Sequence, residues 1–160
     1  LYEEFWRIYT KGDSINPQYI ASDAVVERSL ISDGAEIYGE IYNSVIGEGV
    51  TIGKGTVVRD SIIMQQTEIG ENCIVDKAII AEKVVIGNGV RLGVGEEAPN
   101  VYKPNVYGWG LVTIGEGSVI PDNVSVGKNT AISRVTVAED YPDGLLASGG
   151  VLLGKEGDNE

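Results

Sequence analysis

The sequence predicts an all-β solenoid of short parallel strands, and a repeat of constant period is the main observation behind this prediction. Aliphatic residues recur at every seventeenth position in three columns between Ser44 and Gly93. The columns are Ile46, Ile63 and Ile80; Ile52, Ile69 and Ile86; and Val58, Val75 and Leu92. Each repeat therefore supplies three strands, which stack on their copies in the repeats before and after.

A glycine or asparagine at the fourth position of eight six-residue units is the second observation. These residues enter the left-handed backbone region at low cost, so they predict a corner after each strand. They are Gly34, Gly49, Gly55, Asn72, Gly89, Gly117, Asn123 and Asn129. The fifth position is small or β-branched and precedes the next aliphatic position by two places, so both side chains point into the coil.

The regular pattern divides the chain into three parts. Residues 1–19 do not fit the repeat and are interpreted as an arm or short helix. Residues 20–138 form the coil, and residues 139–160 form a C-terminal tail. One side of the first coil is shortened, because the step from Ser29-Leu30-Ile31 to Ser44-Val45-Ile46 is smaller than the regular one. The repeat stops at residues 96–111, which predicts an extruded loop, and resumes at Ile114.

The net charge limits the partners that this protein can take. The 160 residues carry a formal charge of −12, and the isoelectric point is about 4.4. Nucleic-acid binding needs a basic face, and anionic membranes attract basic segments, so we expect neither partner. No apolar run approaches the ~20 residues of a membrane span. A single cysteine excludes an internal disulfide and fits a reducing, cytoplasmic location.

The chain contains no histidine, and this argues against the usual catalytic chemistry. A general base that works near neutral pH is most often a histidine. A zinc site is also hard to build without histidine or a cysteine cluster. Cys73 falls on an inward position, where we expect a reduced thiol that acts as a small hydrophobic side chain. The sequence therefore predicts no catalytic residue and no metal ligand.

Two positions in the coil and one irregular segment are candidates for binding. Arg59 and Lys77 lie near each other on adjacent coils, where they form either a small phosphate site or part of a solvated charge ladder. The 96–111 loop contains Gly108-Trp109-Gly110, which lacks the strand–helix context of a phosphate-binding loop. A long irregular loop indicates a contact surface; the alternative is a plug for the side of the coil.

Several segments resemble the C-terminal β-helix domain of bacterial glucose-1-phosphate adenylyltransferase, also called ADP-glucose pyrophosphorylase. The segments span the whole chain: Trp6-Arg7-Ile8-Tyr9-Thr10, Asn16-Pro17-Gln18-Tyr19-Ile20, Ser29-Leu30-Ile31-Ser32-Asp33-Gly34, Glu36-Ile37-Tyr38-Gly39, Asn43-Ser44-Val45-Ile46, Ser61-Ile62-Ile63-Met64, Lys77-Ala78-Ile79-Ile80 and Val119-Ile120-Pro121. The resemblance implies a left-handed coil, whereas crossovers between parallel strands are otherwise right-handed.

The resemblance also implies a role without chemistry in this chain. In that family a separate N-terminal domain, absent here, uses Mg²⁺ and ATP to convert glucose 1-phosphate to ADP-glucose for glycogen synthesis. The β-helix assembles a homo-oligomer, for instance a tetramer, and frames a site for an anionic regulator. Matching positions suggest Lys83 and Lys155 as regulator ligands, in addition to Arg59 and Lys77, the candidates taken from the repeat. Contacts with the missing domain are assigned to Trp6, Arg7, Tyr9, Tyr107 and Trp109.

Two alternatives remain open at this point. Hexapeptide coils also occur as acyltransferases, and in this chain that reaction would need a base other than histidine. The other alternative is a non-catalytic partner subunit of the same pyrophosphorylase, which shares the coil.

Overall fold

The computed structural model describes residues 15–153, which form a left-handed parallel β-helix of three sheets. The candidates Trp6, Arg7, Tyr9 and Lys155 lie outside the described residues, as does most of the predicted N-terminal arm. The prediction of an all-β, left-handed hexapeptide solenoid with one extruded loop is confirmed. No helix among residues 15–153 is long and apolar enough to span a membrane.

Each coil except the last contributes one strand to each of three parallel sheets, called A, B and C. Sheet A contains β1 (Tyr19–Ile20), β4 (Glu36–Ile37), β7 (Thr51–Ile52), β10 (Glu68–Ile69), β13 (Val85–Ile86) and β16 (Val119–Ile120). Sheet B contains β2 (Val25–Glu27), β5 (Glu40–Tyr42), β8 (Val57–Arg59), β11 (Ile74–Asp76), β14 (Arg91–Val94), β17 (Ser125–Gly127) and β19 (Leu145–Leu146). Sheet C contains β3 (Leu30–Ile31), β6 (Val45–Ile46), β9 (Ile62–Ile63), β12 (Ala78–Ile80), β15 (Val112–Ile114), β18 (Thr130–Ser133) and β20 (Val151–Leu153).

The three aliphatic columns form the core, as predicted. Their nine residues between Ile46 and Leu92 are at most 2% exposed. The small inward positions are buried with them, and their hydroxyl groups find partners inside the coil. Thr56 Oγ1 donates to the carbonyl oxygen of Gly70 at 2.6 Å and accepts from the Cys73 N–H at 3.0 Å. No buried side-chain nitrogen or oxygen within residues 15–153 lacks a hydrogen-bond partner, as expected of a well-formed core.

The predicted corners are confirmed, and the structure adds a second set. All eight Gly and Asn residues at the fourth position have positive φ, between 57° and 71°. Between sheets B and C, however, positive φ falls on Arg28, Asn43, Asp60 and Lys77, at 47° to 49°. Two of these residue types seldom occupy that region. The sequence pattern therefore does not reveal this corner.

A ladder of serine hydroxyls crosses the B–C corner and links successive coils. The Ser44 hydroxyl donates to the carbonyl oxygen of Tyr42 at 2.7 Å and accepts from the Ser61 N–H at 3.1 Å. The Ser61 hydroxyl repeats the arrangement, donating to Arg59 O at 2.6 Å and accepting from Ala78 N–H at 3.0 Å. These bonds satisfy backbone N–H and carbonyl groups at the corner, where the hydrogen bonding between strands is interrupted.

The shortened coil depends on a close backbone approach at Gly39. A Cβ atom at this buried residue would lie 2.9 Å from the carbonyl oxygen of Gly53 on the next coil. That distance is shorter than real Cβ contacts, so only glycine fits without a shift of the backbone. The missing corner residues of this coil are thus replaced by direct backbone packing.

The solenoid continues beyond the boundary that we predicted at residue 138. Strands β19 and β20 extend sheets B and C by pairing with β17 and β18. On the third side, two 3-10 turns (Ala138–Asp140 and Pro142–Gly144) replace a strand. Tyr141, between them, is 2% exposed and its hydroxyl lies 2.8 Å from Thr136 Oγ1. Residues 139–153 are therefore a final, irregular coil, which the six-residue pattern could not show.

The extruded loop has the length of one whole repeat. Adjacent coils normally place residues with a sequence offset of 17 beside each other, as in the hydrogen bond from Glu71 N–H to Asn88 Oδ1. Across the loop this offset becomes 34, as in the bond from Asn88 N–H to Asp122 Oδ1. Strands β12 and β15 are nevertheless neighbours in sheet C. One repeat's length of chain therefore leaves the solenoid between β14 and β15.

Candidate functional site

The extruded loop, residues 95–111, is a built surface held by two buried asparagines, and we call it the loop platform. Asn100 is 3% exposed, and its Nδ2 donates to the carbonyl oxygen of Asn129 at 2.8 Å. Its Oδ1 accepts from the N–H groups of Tyr102 and Lys103, both at 2.9 Å. Val101 N–H donates to Gly149 O at 2.9 Å. The loop is thereby fixed to the last two coils.

Asn129 holds the two ends of the loop platform from below. Its Nδ2 donates to the carbonyl oxygen of Ala98 at 2.8 Å and to Glu97 Oε1 at 3.2 Å. Its Oδ1 accepts from the Gly110 N–H at 2.7 Å. The sequence pattern predicts Asn129 only as a corner residue and does not indicate Asn100. An isolated asparagine in a loop gives no sequence signal that its side chain will be buried.

The loop platform presents large apolar side chains to solvent. Trp109 is 92% exposed and has a φ of 65°. Val101, Tyr102 and Val106 are 81%, 63% and 62% exposed. Exposed apolar groups on an ordered loop are typical of contact surfaces. A tryptophan with positive φ also carries backbone strain, which tends to persist at functional positions.

A groove runs beneath these side chains. Its volume is about 650 Å³. Lining residues come from both halves of the loop and from the coil below: Glu97, Ala98, Pro99, Pro104, Asn105, Tyr107, Gly108, Trp109 and Asn129. The structure thus brings together Tyr107 and Trp109, two of the predicted contact residues. Prolines, aromatic rings and few charges suit an apolar partner segment better than a phosphate.

Arg59 and Lys77 are neighbours, as expected from the repeat, but their surroundings resemble a charge ladder. Lys77 N–H donates to the carbonyl oxygen of Arg59 at 3.1 Å. The Arg59 guanidinium lies over the Tyr42 ring, 5.4 Å from its centroid. On its other side Arg59 is paired in register with Asp76. A ring and a carboxylate flank the arginine, so Arg59 and Lys77 do not by themselves define a phosphate cradle.

Lys77 has a second basic neighbour that the sequence pattern does not indicate. The aliphatic parts of Lys77 and Lys128 both lie next to Gly110, since their Cδ atoms are 3.7 and 3.8 Å from the position of a Cβ there. The two lysines are therefore neighbours at one end of the loop platform. The 17-residue spacing of adjacent coils does not indicate this pair, because the extruded loop separates the two residues in sequence.

Lys83 lies on the opposite edge of β12 from Lys77, so the regulator candidates do not converge. Its ammonium is 3.8 Å from Glu116, and both side chains are largely exposed. A shallow cavity of about 400 Å³ next to it is lined by Ile15, Glu48, Gly49, Gln65, Gln66, Glu82 and Lys83. Two carboxylates and one lysine give this cavity a net negative lining, which is unfavourable for an anion.

Cys73 has the inward placement that the sequence predicted. It is fully buried and free of disulfide bonding. Its Sγ donates to the carbonyl oxygen of Gly87 at 3.1 Å. Burial raises the pKa of this thiol, and a thiol held neutral is a poor nucleophile. Within the described part of the chain, no group of three or more His, Cys, Asp or Glu side chains is placed to hold a metal ion.

The geometry defines a class of protein: a hexapeptide-repeat β-helix with an extruded loop. Residues 17–114 match the family described as GlmU-like, C-terminal hexapeptide, and the chain belongs to that family. The family match covers the coils that carry the regular repeat.

Relatives within this class are glucose-1-phosphate adenylyltransferases. The enzyme from Lachnospira eligens is 66% identical over 99% of this chain. The enzyme from Thermotoga maritima is 53% identical over 98% of the chain, and that from Acetivibrio thermocellus is 38% identical over 98%. In each case the chain spans 37% of the relative's length. The resemblance seen in the sequence segments is confirmed.

Solved structures confirm the fold alone. A hexapeptide transferase family protein from Anaplasma phagocytophilum superposes with a TM-score of 0.52 at 15% identity, over 87% of this chain and 75% of its own. The acetyltransferase domain of PglB from Neisseria gonorrhoeae, solved with acetyl coenzyme A, gives 0.50 at 17% identity, over 86% of this chain and 55% of its own. At these identities the shared feature is the coil.

Proposed function

We propose that this chain is the assembly and regulatory domain of a glucose-1-phosphate adenylyltransferase. The observation that carries the proposal is the length of the match, which includes 99% of this chain but 37% of the Lachnospira eligens enzyme. The catalytic residues, with their Mg²⁺ and ATP, would lie in the rest of such an enzyme. That domain would convert ATP and glucose 1-phosphate to ADP-glucose and diphosphate for glycogen synthesis in the cytoplasm.

The loop platform is the surface that we assign to contact with the catalytic domain or with a sister subunit of the homo-oligomer. Trp109, at 92% exposure, is the side chain with the most apolar area to lose on contact. Burial of an aromatic side chain of this size contributes about 2–3 kcal/mol. The asparagine anchors keep the loop in one conformation, so little further ordering is needed when a partner binds.

A chimaera tests the proposal directly. The matched 37% of the Lachnospira eligens enzyme is replaced by this chain, and formation of ADP-glucose is measured together with molar mass. An active, oligomeric chimaera is expected. Trp109→Ala in the chimaera should lower activity or assembly several-fold, whereas Lys54→Ala, at an exposed corner remote from the loop, should leave both unchanged. An inactive or monomeric chimaera that is correctly folded would overturn the proposal.

The isolated chain gives the complementary test. Incubated with Mg²⁺, ATP and glucose 1-phosphate, it should release no diphosphate above background. Catalysis by the isolated chain would contradict the assignment of chemistry to another domain.

An anionic metabolite is the regulator class that we propose, with ligands from two chains or domains. Lys83 and its cavity are flanked by carboxylates, so further cations would have to come from the catalytic domain or from Lys155. In the chimaera, Lys83→Ala should shift the half-maximal concentration of a sugar bisphosphate effector. An unchanged response would assign the regulator to other residues, such as Arg59 or Lys77.

The acyltransferase alternative has fold similarity in its favour but no catalytic base of the usual type in this sequence. Titration of the chain with acetyl coenzyme A by calorimetry should show no heat of binding. The silent partner subunit differs from the main proposal only in the catalytic domain, so the sequence of the parent protein would separate the two.

A further inference from the structure

The corner between sheets C and A carries a groove that begins where the described part of the chain begins. Gly34, Gly49, Gln66 and Lys83 stack along this corner, and each of the last three is joined to the preceding coil by its backbone N–H. Ile15 lies against Gly34 and lines the cavity of about 400 Å³ that extends to Lys83. We call this cavity the corner groove. Ile15 lies at its lower end.

The position of Ile15 indicates the direction of the chain that precedes it. Tyr19 pairs with Glu36, so the regular path would place Pro17 beneath Gly34 and the residues before it beneath the first coil. Ile15 instead contacts Gly34 itself and is 39% exposed. The chain therefore reaches the first strand from the outside of the solenoid, along the corner groove.

Exposed apolar side chains border the corner groove on its sheet C side. The strands that enter the corner have aliphatic outward residues: Leu30, Val45, Ile62 and Ile79. The strands that leave it have mainly polar ones: Glu36, Thr51, Glu68 and Val85. Val45 and Ile62 are 41% and 43% exposed, and Met64, at the corner itself, is 39% exposed. An apolar surface of this kind indicates a contact.

We propose that residues 1–14 of this chain occupy the corner groove and pack their apolar side chains against Val45, Ile62 and Met64. These residues lie outside the described part of the chain, but they continue directly from Ile15, so the contact is intramolecular and its effective concentration is high. Most of the first nine residues are apolar: Leu1, Tyr2, Phe5, Trp6, Ile8 and Tyr9.

The segment is long enough for this path. Fourteen extended residues reach roughly 45 Å, whereas the corner from Gly34 to Lys83 covers three strand spacings, about 14 Å. The proposal assigns Trp6 and Tyr9 to the chain's own coil, in place of the contact with a catalytic domain that the resemblance implies.

Apolar contact, and not charge, has to stabilise this arrangement. The charged residues of the corner are mainly acidic: Asp33, Glu48, Glu82 and Glu116, against Lys83. The segment also has more acidic than basic residues: Glu3, Glu4 and Asp13, against Arg7 and Lys11. Salt screens such exposed charges, so added salt should not release the segment.

Fluorescence of Trp6 tests the docking, because Trp6 and Trp109 are the two tryptophans of the chain. In Trp109→Phe, the emission of Trp6 should be blue-shifted, and its quenching by acrylamide should be several-fold weaker than that of Trp109 in Trp6→Phe. Trp109 is the internal standard, since it is 92% exposed. Equal quenching of the two would overturn the proposal.

The chimaera separates this proposal from the assembly and regulatory role. Shielding of Trp6 in the chimaera but not in the isolated chain would overturn the docking and assign the segment to the catalytic domain. Neither result changes the expected activity of the chimaera.

A nitroxide label locates the segment. In the Trp109→Phe background, a label at Gln65→Cys should quench Trp6 more strongly than a label at Lys54→Cys. Gln65 lines the corner groove, and Lys54 is the matched position at the A–B corner of the same coil. Cys73 is fully buried and should not be labelled. A label that displaces the segment would raise acrylamide quenching for Gln65→Cys alone, which also places the segment there. No difference between the two sites in either measurement would exclude the corner groove.

A polar substitution tests the apolar border. Ile62→Gln should increase acrylamide quenching of Trp6 in the Trp109→Phe background. Leu145→Gln is the control, because Leu145 is 47% exposed on sheet B and precedes inward Leu146 as Ile62 precedes inward Ile63. Equal effects of the two variants, or no effect of Ile62→Gln, would refute the contact with sheet C. Far-ultraviolet circular dichroism of each variant confirms that the fold is retained.

Discussion

Asn100 and Asn129 lock the extruded loop to the coil: Asn100 Nδ2 donates to the carbonyl oxygen of Asn129 at 2.8 Å, and both side chains are 3% exposed. The two residues are 29 positions apart in sequence. Their side chains satisfy backbone groups at both ends of the loop. The exposure of Trp109 is therefore a property of an ordered surface.

Asn129→Ala should destabilise the protein and loosen the loop platform. The substitution leaves the Gly110 N–H and the Ala98 carbonyl without their partners, at a cost of about 2–4 kcal/mol. Urea unfolding gives this free energy, and hydrogen exchange at Val101 and Gly110 reports on the loop. Asn123→Ala is the control, because Asn123 has a similar φ of 61° at an exposed corner. Equal losses for both variants would show that backbone strain, and not the anchor, accounts for the effect.

Ile69→Asp should prevent folding of the coil. Ile69 is 2% exposed in the middle of its column, and an unpaired carboxylate at that position would be buried among aliphatic side chains. A loss above about 4 kcal/mol is expected, seen as the absence of a cooperative melting transition in circular dichroism. The neighbouring change Glu68→Ala, at an outward position, should alter stability by less than about 0.5 kcal/mol. An unchanged melting temperature for Ile69→Asp would refute the inward assignment.

Gly39→Ala should be costly although Gly39 has no positive φ. The added Cβ would lie 2.9 Å from Gly53 O on the next coil, and overpacking of this kind costs about 1–3 kcal/mol. Chemical denaturation of the variant measures the loss. Gly108→Ala, whose Cβ would be 3.4 Å from Pro104 O, should lose less. If the two variants were equally stable, the short coil would not depend on close backbone packing.

Stability should decrease at alkaline pH because of Cys73. Burial raises the pKa of its thiol in the folded state, so the unfolded chain loses this proton first. The stabilisation that the protonated Cys73 thiol contributes to folding is complete below the unfolded pKa of about 8.5. It is lost as pH rises through the folded pKa, by at most about 1.4 kcal/mol per pH unit. Unfolding free energies on either side of the unfolded pKa, at neutral and at alkaline pH, measure it. Cys73→Ala should reduce the difference between the two values, and an unchanged difference would contradict the prediction.

The regular parts of this structure could be predicted from the sequence because their physical causes are local and periodic. Ile46, Ile63 and Ile80 reveal an inward column, and Gly49 and Asn72 reveal corners, since both patterns depend only on spacing and residue type. The B–C corner could not be predicted because Arg28 and Lys77 adopt positive φ through the stacking of the coils around them. The burial of Asn100 could not be predicted either, because the partners of its Nδ2 come from residues 29 and 50 positions away.

The extruded loop has a consequence for distances along the solenoid. Since its length equals one repeat, Ile114, Ile120 and Val126 keep the sides of the triangle that the regular period assigns to them. A count of coils made by dividing the residue number by the 17-residue period is, however, one too high after the loop. Each coil adds ~4.8 Å to the height of the solenoid. Any surface beyond the loop therefore lies one strand spacing nearer to β12 than residue numbers suggest, since β15 pairs directly with β12. The loop therefore leaves the side of the triangle on which these residues lie unchanged, but makes the solenoid shorter than the number of residues implies.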